Sequence, residues 1–404
     1  MGARDVIITV NAGSSSIKLT VFTENSTSED RVRLFDLSLS NISQPISELQ
    51  IKKSGMSIHA EDLRIPDHTA GTHLLMEKLA ELIPMERVIA VGHRFVYGGA
   101  KYNRPILIEK ISEADWQLLS RLDPEHTPMA RLFVAEFARF SHTVQVACFD
   151  TAFFRDLPRI AKTVPIPKKY YDTGVRRYGF HGLSYTSILE TFRDKAGDVA
   201  ANGRIILAHL GSGASIAAMH SGKPIETTMG FTPTSGLVMS NRSGDLDPNT
   251  FGFLHRQSNM SLEEFEHMVS FESGLLGVSG ASGDMQELLA REHESEDIKM
   301  AVEMFVYNVK KAIGALSAVL GGVDSLIFSG GIGEQSSVLR ARICQGLEFL
   351  GVELNETMNE QNDFLISSGH GSVGVHVITT DEARVIALQT AEISNNRKES
   401  DGTN

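Results

Sequence analysis

Cysteine is nearly absent. Cys148 and Cys344 are the only two in 404 residues, too few and too isolated for a disulfide framework or a cysteine-based zinc site. The expected setting is a reducing cytoplasm. No apolar run approaches the roughly 20 residues that cross a bilayer, so no membrane association is expected. The opening MGARDVIITV has neither a charged-then-apolar leader nor the Ser or Thr of a myristoylation signal. A surplus of positive charge is missing as well. At a formal net charge of −12 the chain lacks the clustered Lys and Arg that displace phosphate counterions, which argues against a nucleic-acid surface. Anionic ligands must then be met locally, by a few placed cations. The Walker pattern G-x-x-x-x-G-K-[ST] occurs nowhere, so any phosphate loop is of another kind.

What is present is material for buried sheets and tight turns: 42% hydrophobic residues, 22% charged residues and 35 glycines. The length suggests two or three domains. In VIITVNAGSSSIKLTVF, residues 6 to 22, two strand-like runs flank a turn of small, hydrogen-bonding residues. Residues 24 to 70 are polar and weakly patterned, with TENSTSEDR a loop and RVRLFDLSLS a third strand. HLLMEKLAELI and SEADWQLLSRL read as helices, the second opened by Ser112 with an acidic residue three later. VQVACFD reads as a buried strand ending in Asp150. Farther on come a long amphipathic helix, EDIKMAVEMFVYNVKKAIGALSAVL, a strand SLIFSG entering GGIGEQ, and a helix SSVLRARICQGLEFLG. The tail SNNRKESDGTN is expected to be disordered.

IILAHLGSGASIAAM, residues 205 to 219, repeats the order of the opening segment: apolar run, Gly/Ser turn, apolar run. Gly211 and Ser215 fall on Gly13 and Ser16 once one residue is inserted. Two similar hairpins by chance is one reading, and a duplicated chain with two halves facing across a cleft is the other.

Small residues in a turn leave backbone N–H groups open to a ligand that must come close, and phosphate suits such concavities. Asn11, Ser14, Ser16 and Lys18 surround the first turn, and His209, Gly211, Ser212 and Gly213 the second. SGGIGEQ is a third candidate, a Gly-rich link from strand to helix. An ordinary hairpin or capping turn explains each singly. Arg94 in GHRFVYGG and Arg242 in SNRSGDLDP stand in stiff surroundings from which a guanidinium can fork to a carboxylate or phosphate. A salt bridge from Arg242 to Asp245 or Asp247 is the alternative. His181 in RRYGFHG is either a satisfied buried histidine or a cation set against developing negative charge. Asp150 and Glu382 are carboxylates suited to Mg²⁺ held partly through water. The combination is what phosphoryl transfer asks for: positioning, a metal and charge neutralisation.

These motifs resemble those of the acetate and propionate kinase family. NAGSSSIK, GHRFVYGG, FDTAF, RRYGFHG, HLGSGAS, MGFTPTSGL, RSGDLDP, SGLLGVSG and GGIGE occur in that family's order, from residue 6 to about residue 390. The resemblance implies the α/β duplicated ribonuclease H-like fold of the actin, Hsp70 and sugar kinase group, with ATP between two lobes, and a homodimer. The lobes would comprise residues 1–149 with 384–394 and residues 150–383, leaving 395–404 as the tail. Asn11 and Glu382 would be the magnesium-site residues, with Mn²⁺ as an alternative ion, and Lys18 would face the nucleotide phosphates. Arg94 would hold the substrate carboxylate, and His181 and Arg242 would stabilise the transition state. His209, Leu210, Gly211, Ser212 and Gly213 would contact ATP, as would Asp284, Met285 and Gln286, and Gly331, Ile332, Gly333, Glu334 and Gln335. Asp150 fills the family's acid/base position. Acetate, like a Glu side chain with pKa about 4.3, is already ionised near pH 7, so orienting the metal or its water suits Asp150 better.

The chain departs from the family pattern at several places. Ser212 stands where the family has Asn, and Phe154 where His is common. LDPEHTPMA puts Glu125 at a position where an apolar residue helps line the acyl pocket. A buried carboxylate beside an acetate methyl is unfavourable unless paired or turned away, which leaves propionate or butyrate open as acceptors. A nucleotide-dependent clamp of the Hsp70 or actin pattern would not need Arg94 and Arg242 to hold a small carboxylate and a phosphate.

Overall fold

The computed structural model describes residues 5–13, 15–24 and 31–401. Ser14 and most of the TENSTSEDR loop lie outside the described residues. The chain divides into two units, residues 1–153 with 381–404, and residues 154–380.

In the first unit the opening hairpin forms as read: β1 (Val6–Ala12) and β2 (Ile17–Thr23) pair antiparallel, with Asn11 opposite Lys18. Both strands are buried nearly throughout, as apolar runs must be when other elements cover both faces. β3 (Arg33–Ser40), β4 (Ser47–Lys53) and β5 (Met56–Leu63) extend the antiparallel ladder on one side. On the other side β6 (Val88–Phe95) and β8 (Val144–Phe149) run parallel to β1, and the short β7 (Ile106–Leu107) pairs with β8. The order is β5-β4-β3-β2-β1-β6-β8-β7.

The second unit has β9 (Arg204–Leu210), β10 (Ala214–His220), β11 (Lys223–Thr227), β12 (Ser325–Ser329) and β13 (Gly374–Val377), ordered β11-β10-β9-β12-β13. Three strands pair antiparallel and two more join in parallel. β3-β2-β1-β6-β8 of the first unit follows the same plan, with β1–β2 in the place of β9–β10. The repeated hairpin therefore heads two copies of one topology, and the chain has the duplicated ribonuclease H-like fold.

Gly92 shapes the first unit where it matters. A Cβ there would lie 2.1 Å from Thr390 Oγ1 and 2.5 Å from Ile386 Cγ2. Only glycine lets the helix Glu382–Asp401 settle so closely on β6, and that helix also packs on β1 and β8. Side chains two apart on a strand share a face, so Arg94 projects on the side of Gly92 and of this helix. His93 turns to the other face, where it is buried, with Nε2 2.8 Å from Gln145 Oε1. Burial pulls its pKa down to about 4.

Four expectations need correction. β4 and β5 occupy ground read as featureless, and β5 is exposed along almost its whole length, so no alternation of burial marks it. The helix expected over SSVLRARICQGLEFLG stops at Cys344, because Gln345 turns to extended ψ and Gly346 takes φ +85°. The last helix runs past residue 395 to Asp401, with Arg397 3.2 Å from Glu109, and residues 402–404 of the expected tail lie outside the described residues. Finally, Asp150 and Glu382, placed by the expected boundaries in the second lobe, belong to the first unit. Asp150 directly follows β8, and Glu382 begins the helix that packs on that unit's sheet.

Candidate active site

Four of the expected site residues meet in the first unit. Arg94 donates from Nε and Nη2 to Asp150 Oδ2 at 3.2 and 2.6 Å, and from Nη1 to Asn11 Oδ1 at 3.0 Å. Asn11 Nδ2 donates to Glu382 Oε2 at 2.9 Å, and that oxygen lies 3.8 Å from Arg94 Nη1. Asp150 is 1% exposed, whereas Arg94 and Glu382 keep 18% and 20%, so the cluster opens on its arginine and glutamate side. Burial works against the Arg94 charge, but Asp150, Glu382 and Asp123 outweigh it and raise its pKa. A guanidinium has five N–H groups. Three make the bonds above, which leaves one on Nη1 and one on Nη2 to grip a further acceptor. Lys18, exposed on β2 opposite Asn11, completes the group.

Asp123 and His126 were not anticipated. Asp123 is buried, and its Oδ1 accepts from the His126 backbone N–H at 3.1 Å and lies 2.8 Å from His126 Nδ1. Glu125, between them, is half-buried in the turn before the helix Thr127–Phe137.

Among the described residues no group of three or more His, Cys, Asp or Glu side chains is placed to hold a metal. The donors at hand are oxygens, Asn11 Oδ1 and the Glu382 carboxylate. A hard cation that keeps several waters and leans on substrate phosphates needs no fuller protein cage, so this pair fits such an ion.

The second unit gathers His181, His209 and Arg242. His181 holds φ +60°, in the left-handed region, at the start of the helix Gly182–Ala201. Its ring lies 4.6 Å from that of His209, and its Nδ1 is 2.8 Å from Ser215 Oγ. A Cβ on Gly213 would meet His181 Nε2 at 3.2 Å and Arg242 Nη1 at 3.8 Å. The second Gly/Ser turn therefore has no side chain where an imidazole and a guanidinium converge. Arg242 Nη1 also lies 3.5 Å from Pro233 O. Asp245 and Asp247, the alternative partners considered for Arg242, accept backbone N–H groups of Gly236 and Asn249.

Neighbouring loops close on this turn. Ser240 N–H donates to Ser212 O at 3.1 Å. A Cβ on Gly283 would press Ser240 O at 2.9 Å, one on Gly330 would strike Leu210 O at 2.6 Å, and one on Gly211 would sit 3.8 Å from Gly331 N. The three expected nucleotide segments thus converge. Their members differ in what they can offer. Leu210, Met285 and Gly333 are buried and have only backbone to present, while Ser212, Asp284, Gln286, Gly331 and Gln335 are exposed and Gly211, Gly213 and Ile332 partly so. Asp284 caps the next helix, accepting from Gln286 N–H at 2.8 Å. Glu334 turns back on its own loop, its Oε1 accepting from Gly330 N–H at 2.9 Å and Thr380 N–H at 3.3 Å.

Sequence reasoning missed the residue beneath that loop. Arg340 is fully buried, and donates from Nη1 to Gly333 O and Glu334 O at 2.8 and 2.9 Å and from Nη2 to Asn359 O at 2.6 Å. Burial draws its pKa down to about 10, so it stays charged at neutral pH and anchors the carbonyl end of Gly330–Gln335. Phe154, where the family commonly has His, is buried. A Cβ on Gly179 would meet its ring at 2.5 Å, and that ring stands edge-on to Tyr185 at 6.0 Å.

Residues 6–388 match the model of the Acetokinase family. An acetate kinase of Methylocella silvestris is 38% identical over 398 residues, 95% of this chain and 96% of its own. The crystal structure of Porphyromonas gingivalis acetate kinase superposes with a TM-score of 0.84 at 32% identity, covering 96% of this chain and 99% of that one. A propionate kinase from Francisella tularensis gives 0.88 at 31%, covering 96% and 100%. With the match running through both copies of the duplicated topology and all the clusters described above, the chain belongs to the acetokinase family of phosphotransferases.

Proposed function

We propose that this protein reversibly transfers the γ-phosphoryl group of ATP to acetate, giving acetyl phosphate and ADP. The observation that carries the reading is the bare Cα of Gly213 facing His181 Nε2 and Arg242 Nη1. A phosphoryl group in transfer spreads charge over its equatorial oxygens and asks for positioning and cations, with little covalent chemistry from the protein. Arg242 meets that demand with its charge, and His181 with a hydrogen bond from its ring. The backbone of Gly211–Gly213 and Gly331, with Asp284, Gln286 and Gln335, receives the nucleotide.

Arg94 takes the acetate carboxylate with its two remaining N–H groups, a bidentate grip that suits a small planar anion. One acetate oxygen forms a bond to the γ-phosphorus while the β–γ bridging oxygen leaves with the electron pair of the broken bond. Acetate is ionised near neutral pH, so no proton moves and no base is required. Asp150 accordingly orients Arg94, which holds its Oδ2 twice. Asn11 and Glu382 hold Mg²⁺, which when bound neutralises phosphate charge.

The same reading places the enzyme in the cytoplasm as a homodimer. Both cysteines are free and buried, and burial pushes each thiol up to about 12, which suits a reducing compartment. No helix among the described residues is long and apolar enough to cross a membrane.

A longer acid is the second reading, favoured by the 0.88 TM-score to a protein titled propionate kinase. Trapping the acyl phosphate as a hydroxamate across acetate, propionate and butyrate separates the two. Acetate giving the highest kcat/KM supports the first, and acetate as the poorest of the three refutes it.

A further inference from the structure

His181 is held from behind by a hydroxyl that nothing in the reaction above uses. Ser215 Oγ lies 2.8 Å from His181 Nδ1 and 2.6 Å from Tyr185 Oη, and Ser215 and Tyr185 are both fully buried. Ser215 comes from β10, where it pairs with His209 across the ladder, and Tyr185 from the first turn of the helix that His181 opens. A strand and a helix thus meet at one oxygen behind the imidazole, while the opposite ring nitrogen, Nε2, faces Gly213.

Burial pushes the Tyr185 phenol well above its ordinary range, against a smaller opposing pull from Ser215, so Tyr185 keeps its proton. A phenol is a better donor and a poorer acceptor than an alkyl alcohol, which favours Tyr185 as the donor to Ser215 Oγ. A serine hydroxyl has one proton, and with Tyr185 donating to its oxygen, that proton is directed at His181 Nδ1. The nitrogen that accepts carries no proton, so the neutral imidazole must carry its own on Nε2.

We propose that Tyr185 and Ser215 are positioning residues that order the protons behind His181, fixing the tautomer whose Nε2–H faces the phosphoryl group above Gly213. Phe154 contributes by standing edge-on against the Tyr185 ring at 87°. The inference rests on the reading that His181 acts on the transferring phosphoryl, and it adds that the ring does so as a donor selected by its neighbours. With the alternative tautomer, Nε2 would present a lone pair to an anionic oxygen.

The test combines a spectrum with kinetics. In protein labelled with ¹⁵N-histidine at neutral pH, the His181 signals, assigned by their loss in His181→Gln, are expected to show a pyrrole-type Nε2 and a pyridine-type Nδ1. Ser215→Ala is expected to lower kcat roughly 10- to 100-fold, the scale of losing an outer-shell partner of a functional histidine, with the KM values for ATP and acetate within a few-fold of wild type. Tyr185→Phe, which removes one oxygen from a buried ring, keeps the test open should Ser215→Ala fail to fold. It is expected to lower kcat and to mix the two ¹⁵N patterns, and Ser215→Thr, which keeps a hydroxyl, to restore most of the rate. A pyrrole-type Nδ1 in wild type overturns the inference. So does a Tyr185→Phe enzyme with unchanged kcat and tautomer when His181→Gln has lost activity. Should His181→Gln itself turn over normally, the role of His181 in the proposed function falls, and the inference with it.

Discussion

Asn11 and Glu382 stand 371 positions apart in the sequence, yet the Asn11 amide donates to the Glu382 carboxylate across 2.9 Å. Glycine at position 92 makes the meeting possible by letting the helix that begins at Glu382 settle on β6. The pair is tied to Arg94, so a change at Glu382 is felt as charge more than as fold. Glu382→Gln is expected to fold, because the isosteric amide oxygen can still accept from Asn11 Nδ2 and Asp150 remains as the Arg94 counterion. The Mg²⁺ concentration for half-maximal rate should rise by roughly tenfold or more. A metal titration that superposes on wild type would remove Glu382 from the metal site.

Arg94 is a different case because its partner cannot reach water. Asp150, 1% exposed, would be left as a buried charge without its counterion in Arg94→Ala, a change that typically costs about 3–5 kcal/mol. Arg94→Lys keeps the charge and loses the fork, so it should retain more stability than Arg94→Ala while raising the KM for acetate far more than that for ATP. Urea unfolding and steady-state kinetics on the two variants check both statements. Equal stability for Arg94→Ala and wild type would contradict the ion pair.

Gly274 carries the Arg242 loop. At φ +64°, a Cβ there would lie 2.2 Å from Met239 O, 2.7 Å from Arg242 O and 3.0 Å from Arg242 N, and none of these backbone atoms can step aside without moving the loop. Gly274→Ala should therefore lower kcat by roughly 100-fold, the scale of a 1 Å misplacement of a catalytic group. Wild-type kcat in a folded Gly274→Ala would show that the position of Arg242 does not matter.

Acid lability follows from two histidines buried in neutral form. Burial lowers both His93 and His376 to about 4, whereas an unfolded histidine titrates near 6.5. Between those values the unfolded chain binds more protons, so stability is full above about 6.5 and falls as pH falls toward 4. Each histidine contributes a slope of roughly 1.4 kcal/mol per pH unit across that window. His376 lies 4.9 Å from both Phe192 and Phe364, so His376→Phe keeps an aromatic ring in place. Unfolding free energies measured from pH 7 to 4.5 should fall less steeply for that variant, and identical slopes would contradict the assignment.

Both Gly/Ser hairpins were legible because apolar runs on either side of small residues mark strand and turn without help from the rest of the chain. Asp150 was legible as the end of a buried strand. Glu382 was visible as a site residue mainly through the family resemblance, since no local pattern ties it to Asn11. Arg340 was hidden: among helical residues an arginine reads as solvated, and nothing in VLRARI says that the first of its two heads inserts under Gly333 and Glu334. β5 was hidden for the opposite reason, having little buried surface from which to read a period. Ser215 was noted as an echo of Ser16, but its contact with Tyr185, 30 residues away, depends on a strand and a helix meeting.

Label transfer tests the central claim most directly. With γ-³²P ATP, acetate and Mg²⁺, the account predicts that label leaves ATP only when acid is present and appears in an acyl phosphate, one for each ADP formed, with transfer largely lost in Arg242→Ala. ATP turnover that proceeds equally without acid and releases the label as inorganic phosphate would contradict it.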